Sequence, residues 1–362
     1  MNKPILRTIA FLSIFLLNFN FSFANETEKK ESAQEKFNAG ELIIDHITDS
    51  HGWHLFGEVA IPLPVIIYSS GKGLEIFSSS RFEHGHASYN GYHLEKNKIV
   101  AEDGSKFYDL SITKNVATVL VATVLMLLVF LSVAKRYAQS KNSAPKGLQS
   151  WVEPIIVFVR DEVAKSSIGE KKYEKYMPFL LTVFFFILIL NLLGLIPLAP
   201  GGANVTGNIA VTMTLACITF VITLFSANKN YWRHIFAMPG VPPWVLVLLT
   251  PIEILGVFLR PFVLMIRLFA NIMAGHIIAL SFFSLIFIFG AMNIWIGYSV
   301  SIVSILFTVF MAMLELLVAF LQAYVFTLLS AIYFGAAVEE HHEHEHDPHA
   351  EVHEHIEEAA VV

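Results

Sequence analysis

A long and almost uncharged stretch constrains this chain more than any other feature. From Met177 to Val338 there are 162 residues, and only six of their side chains are charged. These six are Lys229, Arg233, Glu253, Arg260, Arg267 and Glu315. Over all 362 residues the charged fraction is 15%, against about a quarter in soluble globular domains. The pattern excludes a disordered chain and indicates a membrane-embedded domain.

The N-terminus has the features of a secretory signal. Residues 1–24 begin with two basic residues, continue with an apolar run over 9–23 and end at Ala24 in a small-x-small cleavage pattern. An uncleaved anchor is the alternative, because Asn18 and Asn20 interrupt the run. In either case the segment that follows is exported.

Residues 25–115 predict a small β-rich exported extension. Short runs of Ile, Val, Tyr and Phe alternate with Gly and Pro, and two β-hairpins are predicted, with turns at 69–73 and 102–104. Six histidines lie here: His46, His51, His54, His84, His86 and His93. No pair has a recognised metal-ligand spacing, so we expect surface histidines and no metal site. The only cysteine, Cys217, excludes a disulfide framework.

Three ordinary membrane spans are predicted at 116–134, 178–197 and 208–226, each close to the roughly 20 residues that cross a hydrocarbon core. Lys135 and Arg136 directly follow the first span, so that end is cytoplasmic and the N-terminus lies outside. Between the first two spans, residues 148–168 mix apolar and charged side chains. This pattern is typical of an amphipathic helix on the cytoplasmic face.

Two further apolar segments, 243–290 and 293–337, contain no polar turn. Helices of 48 and 45 residues would each be about 70 Å long, more than twice the hydrocarbon thickness. Each segment is therefore either two spans joined by a hidden turn or one strongly tilted helix. Glu253, Arg260 and Arg267 recur every seven residues, as do Glu315 and Gln322, which puts each set on one helix face. Because intramembrane charges are costly, such a polar seam favours the tilted helices.

The segment from Met265 to His276, which includes Arg267-Leu268-Phe269, Asn271 and Ala274-Gly275, closely resembles the hallmark helix of subunit a of the rotary ATP synthase. The resemblance covers about 116–335. It implies an all-α polytopic membrane protein with upright spans and a long, strongly tilted two-helix hairpin. The small β-rich N-terminal extension lies outside the part that resembles the family. It also implies the function: a stator that supplies two half-channels for proton translocation and couples proton flow to ATP synthesis.

The resemblance also assigns residue roles. Arg267 is the essential arginine that faces the rotating c-ring, and His276 with Glu315 forms the relay of the outer half-channel. Some family members carry the acid and the histidine on the opposite helices. The remaining residues of the implied proton pathway are Asn271, Gln322, Glu253 and Arg260.

Each assignment has a plainer alternative. Arg267 could pair structurally with Glu315 or Glu253, and His276 could be a hydrogen-bonded interior histidine. Gln322 could hold two helices together, and Arg260 could extend its side chain to the membrane interface.

The implied partners are the c-subunit ring, the b-subunit peripheral stalk, the remainder of the complex and the lipid bilayer, with no nucleic acid and no homo-oligomer. The implied location is a bacterial inner membrane, with several spans and a cytoplasmic C-terminus. No cofactor, metal or nucleotide site is expected in this chain, so it is not an enzyme by itself. Residues 339–362 predict a disordered, acidic, His-rich tail.

Two other function classes fit the sequence less well. A cation transporter would need several ligand-bearing spans, but His276 is the one histidine within the predicted spans. An intramembrane protease would need paired aspartates, a zinc motif or a serine elbow, and the stretch from Met177 to Val338 contains no Asp. Whether the transported ion is a proton or sodium stays open from the sequence alone.

Overall fold

The computed structural model describes residues 38–56, 59–85, 87–95, 97–139, 145–196, 201–238 and 241–339. The predicted signal peptide lies outside the described residues, as does the predicted tail beyond Glu339. The described part is mostly helical, with small β-sheets confined to the N-terminal extension.

The extension begins with a helix and continues with short strands. Helix α1 spans Ala39–Ile47. It is followed by β1 (Gly52–Phe56), β2 (Val59–Pro62), β3 (Pro64–Ser69), β4 (Gly73–Ser78), a 3₁₀ segment (Ser79–Gly85), β5 (Tyr92–Glu95), β6 (Lys98–Ala101) and β7 (Phe107–Asp109). The strands form three antiparallel sheets: β1-β2, β4-β3-β7 and β5-β6. Val65, Ile67, Phe82, Tyr92 and Ile99 form the core of the extension.

The hairpin predicted at 69–73 is confirmed, since Ser69 pairs with Gly73 at its end and Gly73 takes a φ of 79°. The hairpin predicted at 102–104 is wrong. The structure turns earlier, between Glu95 and Lys98, where Asn97 adopts a φ of 65° that asparagine tolerates better than most residues. As a result β6 pairs with β5, and β7 pairs with β3 instead. Helix α1 was not predicted.

Five of the described helices are long and apolar enough to cross a membrane. They are α2 (Lys114–Gln139), α4 (Tyr173–Leu195), α5 (Ile209–Ser226), α7 (Pro243–Met292) and α8 (Ile294–Val338). Helix α6 (Lys229–Phe236) is a short connection between α5 and α7. The helical segment α3 runs through Leu148–Phe158, a π-helical turn at Val159–Lys165 and a last turn at Ser166–Ile168.

The two long apolar segments are single unbroken helices, which decides between the two interpretations of the sequence. Helix α7 has 50 residues and α8 has 45. Only Asn293 separates them, and its side chain accepts a 2.9 Å hydrogen bond from the backbone N–H of Trp295. A helix of 50 residues is about 75 Å long, so in a bilayer it must lie strongly tilted.

The core of the membrane domain forms where α4 and α3 pack against the C-terminal half of α8. Phe326, Ala331 and Phe334 are buried there, and Gly335 lies so close to the Ser167 carbonyl that a Cβ would not fit. The carboxyl end of α8 is held by two side chains. Lys172 Nζ donates to the Val338 carbonyl at 2.8 Å, and Asn228 Nδ2 donates to it at 3.1 Å. A cation at this position also suits the helix dipole.

Candidate functional site

A cavity of about 150 Å³ lies between α4, α7 and α8, and we call it the His276 cavity. It brings together three of the residues singled out from the sequence: Asn271 and His276 on α7, and Glu315 on α8. Oε1 of Glu315 is buried without a hydrogen-bond partner among the described residues. Because a buried carboxylate oxygen needs a donor, water in this cavity would be its natural partner.

Three polar residues that the sequence reasoning missed complete the wall of this cavity. Asn191 on α4 is 4% exposed, and Asn204 and Thr206 lie in the connection before α5. Thr206 Oγ1 donates to Asn191 Oδ1 at 2.7 Å, and Asn191 Nδ2 donates to the Ala319 carbonyl of α8 at 3.1 Å. A lone Asn within an apolar span was the available signal, since uncompensated polar groups are costly there.

A second, smaller opening lies near the start of α7. This Arg260 crevice, of about 10 Å³, is lined among others by Thr219, Thr223, Tyr231, Arg260 and Tyr333. Arg260 Nη1 donates to the Tyr231 hydroxyl at 3.4 Å, and the guanidinium lies 5.8 Å from the ring centre of Tyr333. The crevice has room for about one water molecule.

The charges of Arg260 and Glu253 have opposite effects on Tyr231. Burial raises the pKa of the Tyr231 hydroxyl, the nearby Arg260 charge lowers it and Glu253 raises it again. Arg260 lines the crevice together with Tyr231, whereas Glu253, seven residues earlier on α7, is not among its lining residues.

The His276 cavity adjoins the connection before α5, and the Arg260 crevice extends from the middle of α5 to the segment after it. Thr206, on the His276 cavity, comes just before this helix, and Tyr231, on the Arg260 crevice, comes just after it. Helix α5 has 18 residues, about 27 Å, which is close to the hydrocarbon thickness. If α5 crosses a bilayer, the two openings are directed toward opposite faces of it.

Arg267 lies between these openings along α7. The lining residues closest to it in sequence are Leu264 of the crevice, three residues before it, and Asn271 of the cavity, four residues after it. Leu264 and Leu268, which precede and follow Arg267 along the helix, are each 1% exposed and pack into the interior. The Arg267 side chain instead lies on the exposed face of the helix.

The structure bears on the structural alternatives considered for Arg267, Arg260 and Gln322. No salt bridge within 4.0 Å joins Arg267 to Glu315 or Glu253, all of which the structure describes, so the structural pairing of Arg267 is not observed. Arg260 contacts Tyr231 and Tyr333 within the protein. Gln322 is 4% exposed in the helix packing and does not line the His276 cavity.

The expectation of surface histidines in the extension is wrong for two of them. His51 is 7% exposed, and its ring nitrogens lie 3.2 Å from the Asn97 carbonyl oxygen and 3.4 Å from Asp109 Oδ2. Burial raises the pKa of Asp109, but the adjacent His51 ring and hydrogen bonding from Ser111 outweigh it and lower that pKa to about 2. His46 packs near the His276 cavity. His54, His84 and His86 lie outside what the structure describes in side-chain detail, and no cluster of three potential metal ligands occurs among the described residues.

Comparison with known proteins identifies the family to which this sequence is related. Residues 116–335 match the family of the ATP synthase A chain, which is more than half of the chain. The chain belongs to the ATP synthase A chain family. Residues 42–119 separately match a domain of unknown function, DUF8433, which covers most of the extension.

Curated relatives support the same conclusion. ATP synthase subunit a of Chlorobium phaeobacteroides (strain DSM 266) is 36% identical over 379 aligned residues, covering 95% of this chain and 96% of that one. Subunit a of Chloroherpeton thalassium is 43% identical, covering 67% and 71%, and that of Myxococcus xanthus is 41% identical, covering 67% and 77%. Together with the five apolar helices, family membership makes this chain a multi-pass membrane protein.

Proposed function

We propose that this chain is the stator subunit a of a rotary ATP synthase and that it provides two separate half-channels for protons. The family supports the coarser part of this statement: a membrane subunit of the ATP synthase complex that takes part in proton translocation and is not itself catalytic. The finer part concerns which residues carry the protons and where the two paths are separated.

The observation that carries the proposal is the position of Arg267 between two polar openings, one beside the connection before α5 and the other reaching the segment after it. The His276 cavity serves as the outer half-channel, with His276 and Glu315 as its relay and Asn271 at its wall. The Arg260 crevice leads toward the inner half-channel, and we assign Glu253 to the same path. To the buried Leu264 and Leu268 we assign the role of keeping the two from joining through the protein interior.

In this proposal Arg267 faces the rotating c-ring from the exposed side of α7. A guanidinium keeps its charge at any accessible pH, so it favours the ionised form of a passing ring carboxylate. A proton arriving on that carboxylate is thereby released toward the exit path. The same fixed charge repels protons that would leak directly between the half-channels.

The exposed face of the hairpin supports contact with a membrane partner. Val263 and Leu259, four and eight residues before Arg267, lie on the same side of α7 and are 44% and 46% exposed. Apolar exposure on this scale requires lipid or another membrane helix. We assign it to the c-ring and surrounding lipid, and expect the b-subunit stalk to bind elsewhere on the chain. Gln322, buried in α8, serves the path by orienting neighbours or the water between the helices.

The topology follows from the same assignment. The extension and the connection before α5 lie outside the bacterial inner membrane, after export by the signal peptide. Helix α3, α6 and the C-terminal tail lie in the cytoplasm, where the basic residues Lys135, Arg136 and Lys229 are found.

The test is Arg267→Ala in the intact complex, reconstituted in vesicles. We expect normal assembly, since the exposed Arg267 side chain contributes little to the fold, and complete loss of ATP-driven proton pumping. The matched control is Arg233→Ala on α6, which also removes one exposed arginine but lies away from both openings. Coupled pumping by the Arg267→Ala complex would overturn the proposal.

A further inference from the structure

The first helix of the extension lies against α7 next to the His276 cavity. This helix, α1, precedes the region that matches the ATP synthase A chain and belongs to the domain of unknown function. Its His46 is half-buried, and the centre of its imidazole ring lies 6.3 Å from that of His276, with the ring planes inclined at 49°. Two imidazoles at this separation are within reach of one bridging water.

Several bonds anchor the extension at this position. The Lys114 backbone N–H donates to the Ser50 carbonyl at 2.8 Å, and the Asn115 N–H donates to Asp49 Oδ1 at 3.0 Å, so Asp49 caps the first turn of α2. Trp53 Nε1 donates to the Gly201 carbonyl at 2.9 Å, in the connection next to the cavity. The placement of α1 is therefore fixed from two sides, by α2 and by the connection before α5.

The surroundings of His46 favour the neutral form of its ring. Burial lowers the pKa of His46, and the positive charge of Lys114 lowers it further. Lys114 Nζ also donates to the His46 carbonyl at 3.4 Å. Among the described residues His276 on α7 also faces the ring, and Glu315 lines the cavity on the far side of the α7–α8 hairpin seam.

We propose that His46 is the outermost proton-transfer residue of the outer half-channel, and that α1 forms part of its entrance. The ring takes one proton from the outer aqueous phase at one nitrogen and releases one from the other nitrogen toward His276. Each transfer leaves the ring neutral but as the other tautomer, and rotation of the ring restores the first tautomer before the next proton arrives. The extension is then a working part of the proton path. This inference rests on the proposed function of the His276 cavity.

The test measures passive proton flux through the intact membrane sector in oriented vesicles, driven by a potassium diffusion potential. His46→Gln keeps a polar side chain of similar size but cannot titrate in this range, and His46→Ala removes the ring. We expect both to lower flux several-fold. Imidazole added outside should restore flux in His46→Ala, because a small molecule can take the vacated place, whereas imidazole inside should not. His93→Ala, on β5 of the same extension, is the control and should leave flux unchanged.

The outcomes separate this inference from the function on which it rests. If Arg267→Ala abolishes pumping while His46→Gln retains full flux, the function stands and the relay role of His46 is overturned. A loss of flux that outer imidazole does not restore would indicate that His46 only packs, which also overturns the inference. If neither Arg267→Ala nor His46→Ala changes flux, the proposed function itself fails.

Discussion

Gly275 and Glu315 are in direct contact across the α7–α8 hairpin. A Cβ atom at Gly275 would lie 2.8 Å from Oε1 and 3.2 Å from Cγ of Glu315. Gly275 thus leaves the space into which the carboxyl group fits beside His276. Glycine weakens a helix interior, so its presence at position 275 needs an explanation. The close approach of Glu315 supplies one, because a larger residue would collide with the carboxyl group.

The first prediction follows from this contact. Gly275→Ala should displace the Glu315 carboxyl group from the cavity and lower proton flux several-fold, although it strengthens the helix by about 1 kcal/mol. Gly290→Ala is the matched control, since it gains the same helix propensity and its Cβ would meet nothing within 4 Å. Flux through reconstituted membrane sectors measures both. Equal flux in the two variants would contradict the role given to this contact.

Asn191 should matter for both stability and transport. Asn191→Leu removes the partner of the buried Thr206 hydroxyl, and an unsatisfied buried group costs about 1–3 kcal/mol. We expect a lower thermal midpoint in detergent and reduced proton flux at temperatures where the variant is still folded. Asn208→Ala loses only the exposed cap of α5 and should lower stability without a specific effect on flux. If Asn191→Leu is transport-competent when folded, the residue is not part of the path.

The extension should loosen in acid through Asp109. Its pKa is lowered from 3.8 to about 2 in the folded state, so its contribution to stability is fully present above about pH 4 and is lost as the pH falls toward 2. Asp109→Asn should remove this pH-dependent part. The emission of Trp53, buried and bonded to Gly201, reports docking of the extension once the other four tryptophans are replaced by Phe. An identical acid transition in Asp109→Asn would show that another group controls it.

Much of the architecture could be predicted because membrane helices have long apolar sequences that are easily recognised. The absence of a polar turn in α7 and α8, together with the seven-residue spacing of Glu253, Arg260 and Arg267, favoured the single long helices that the structure contains. The pairing of the small strands was harder to predict from the sequence. Each strand is short, and the early turn at Asn97 redirected β6 to a different partner from the one expected.

The candidate site could be predicted only in part. His276 and Glu315 stood out as polar groups in apolar helices, and the structure brings both to one cavity. Asn204 and Thr206 lie in a polar connection where such residues are common, so nothing in their local sequence pointed to the cavity. The proximity of His46 and His276 joins a soluble extension to a membrane helix, and no local pattern encodes a contact between segments so far apart in sequence.

The central claim, that Arg267 separates two half-channels reaching opposite sides, is tested most directly by one-sided access to two new cysteines. In a Cys217→Ser background, Asn271→Cys lines the His276 cavity and Thr219→Cys lines the Arg260 crevice. Ag⁺ is added to one side of oriented vesicles, with glutathione trapped on the other side to capture ions that cross. We predict that Ag⁺ blocks proton flux in Asn271→Cys only from the outer side and in Thr219→Cys only from the cytoplasmic side. Block of both variants from the same side would contradict the account.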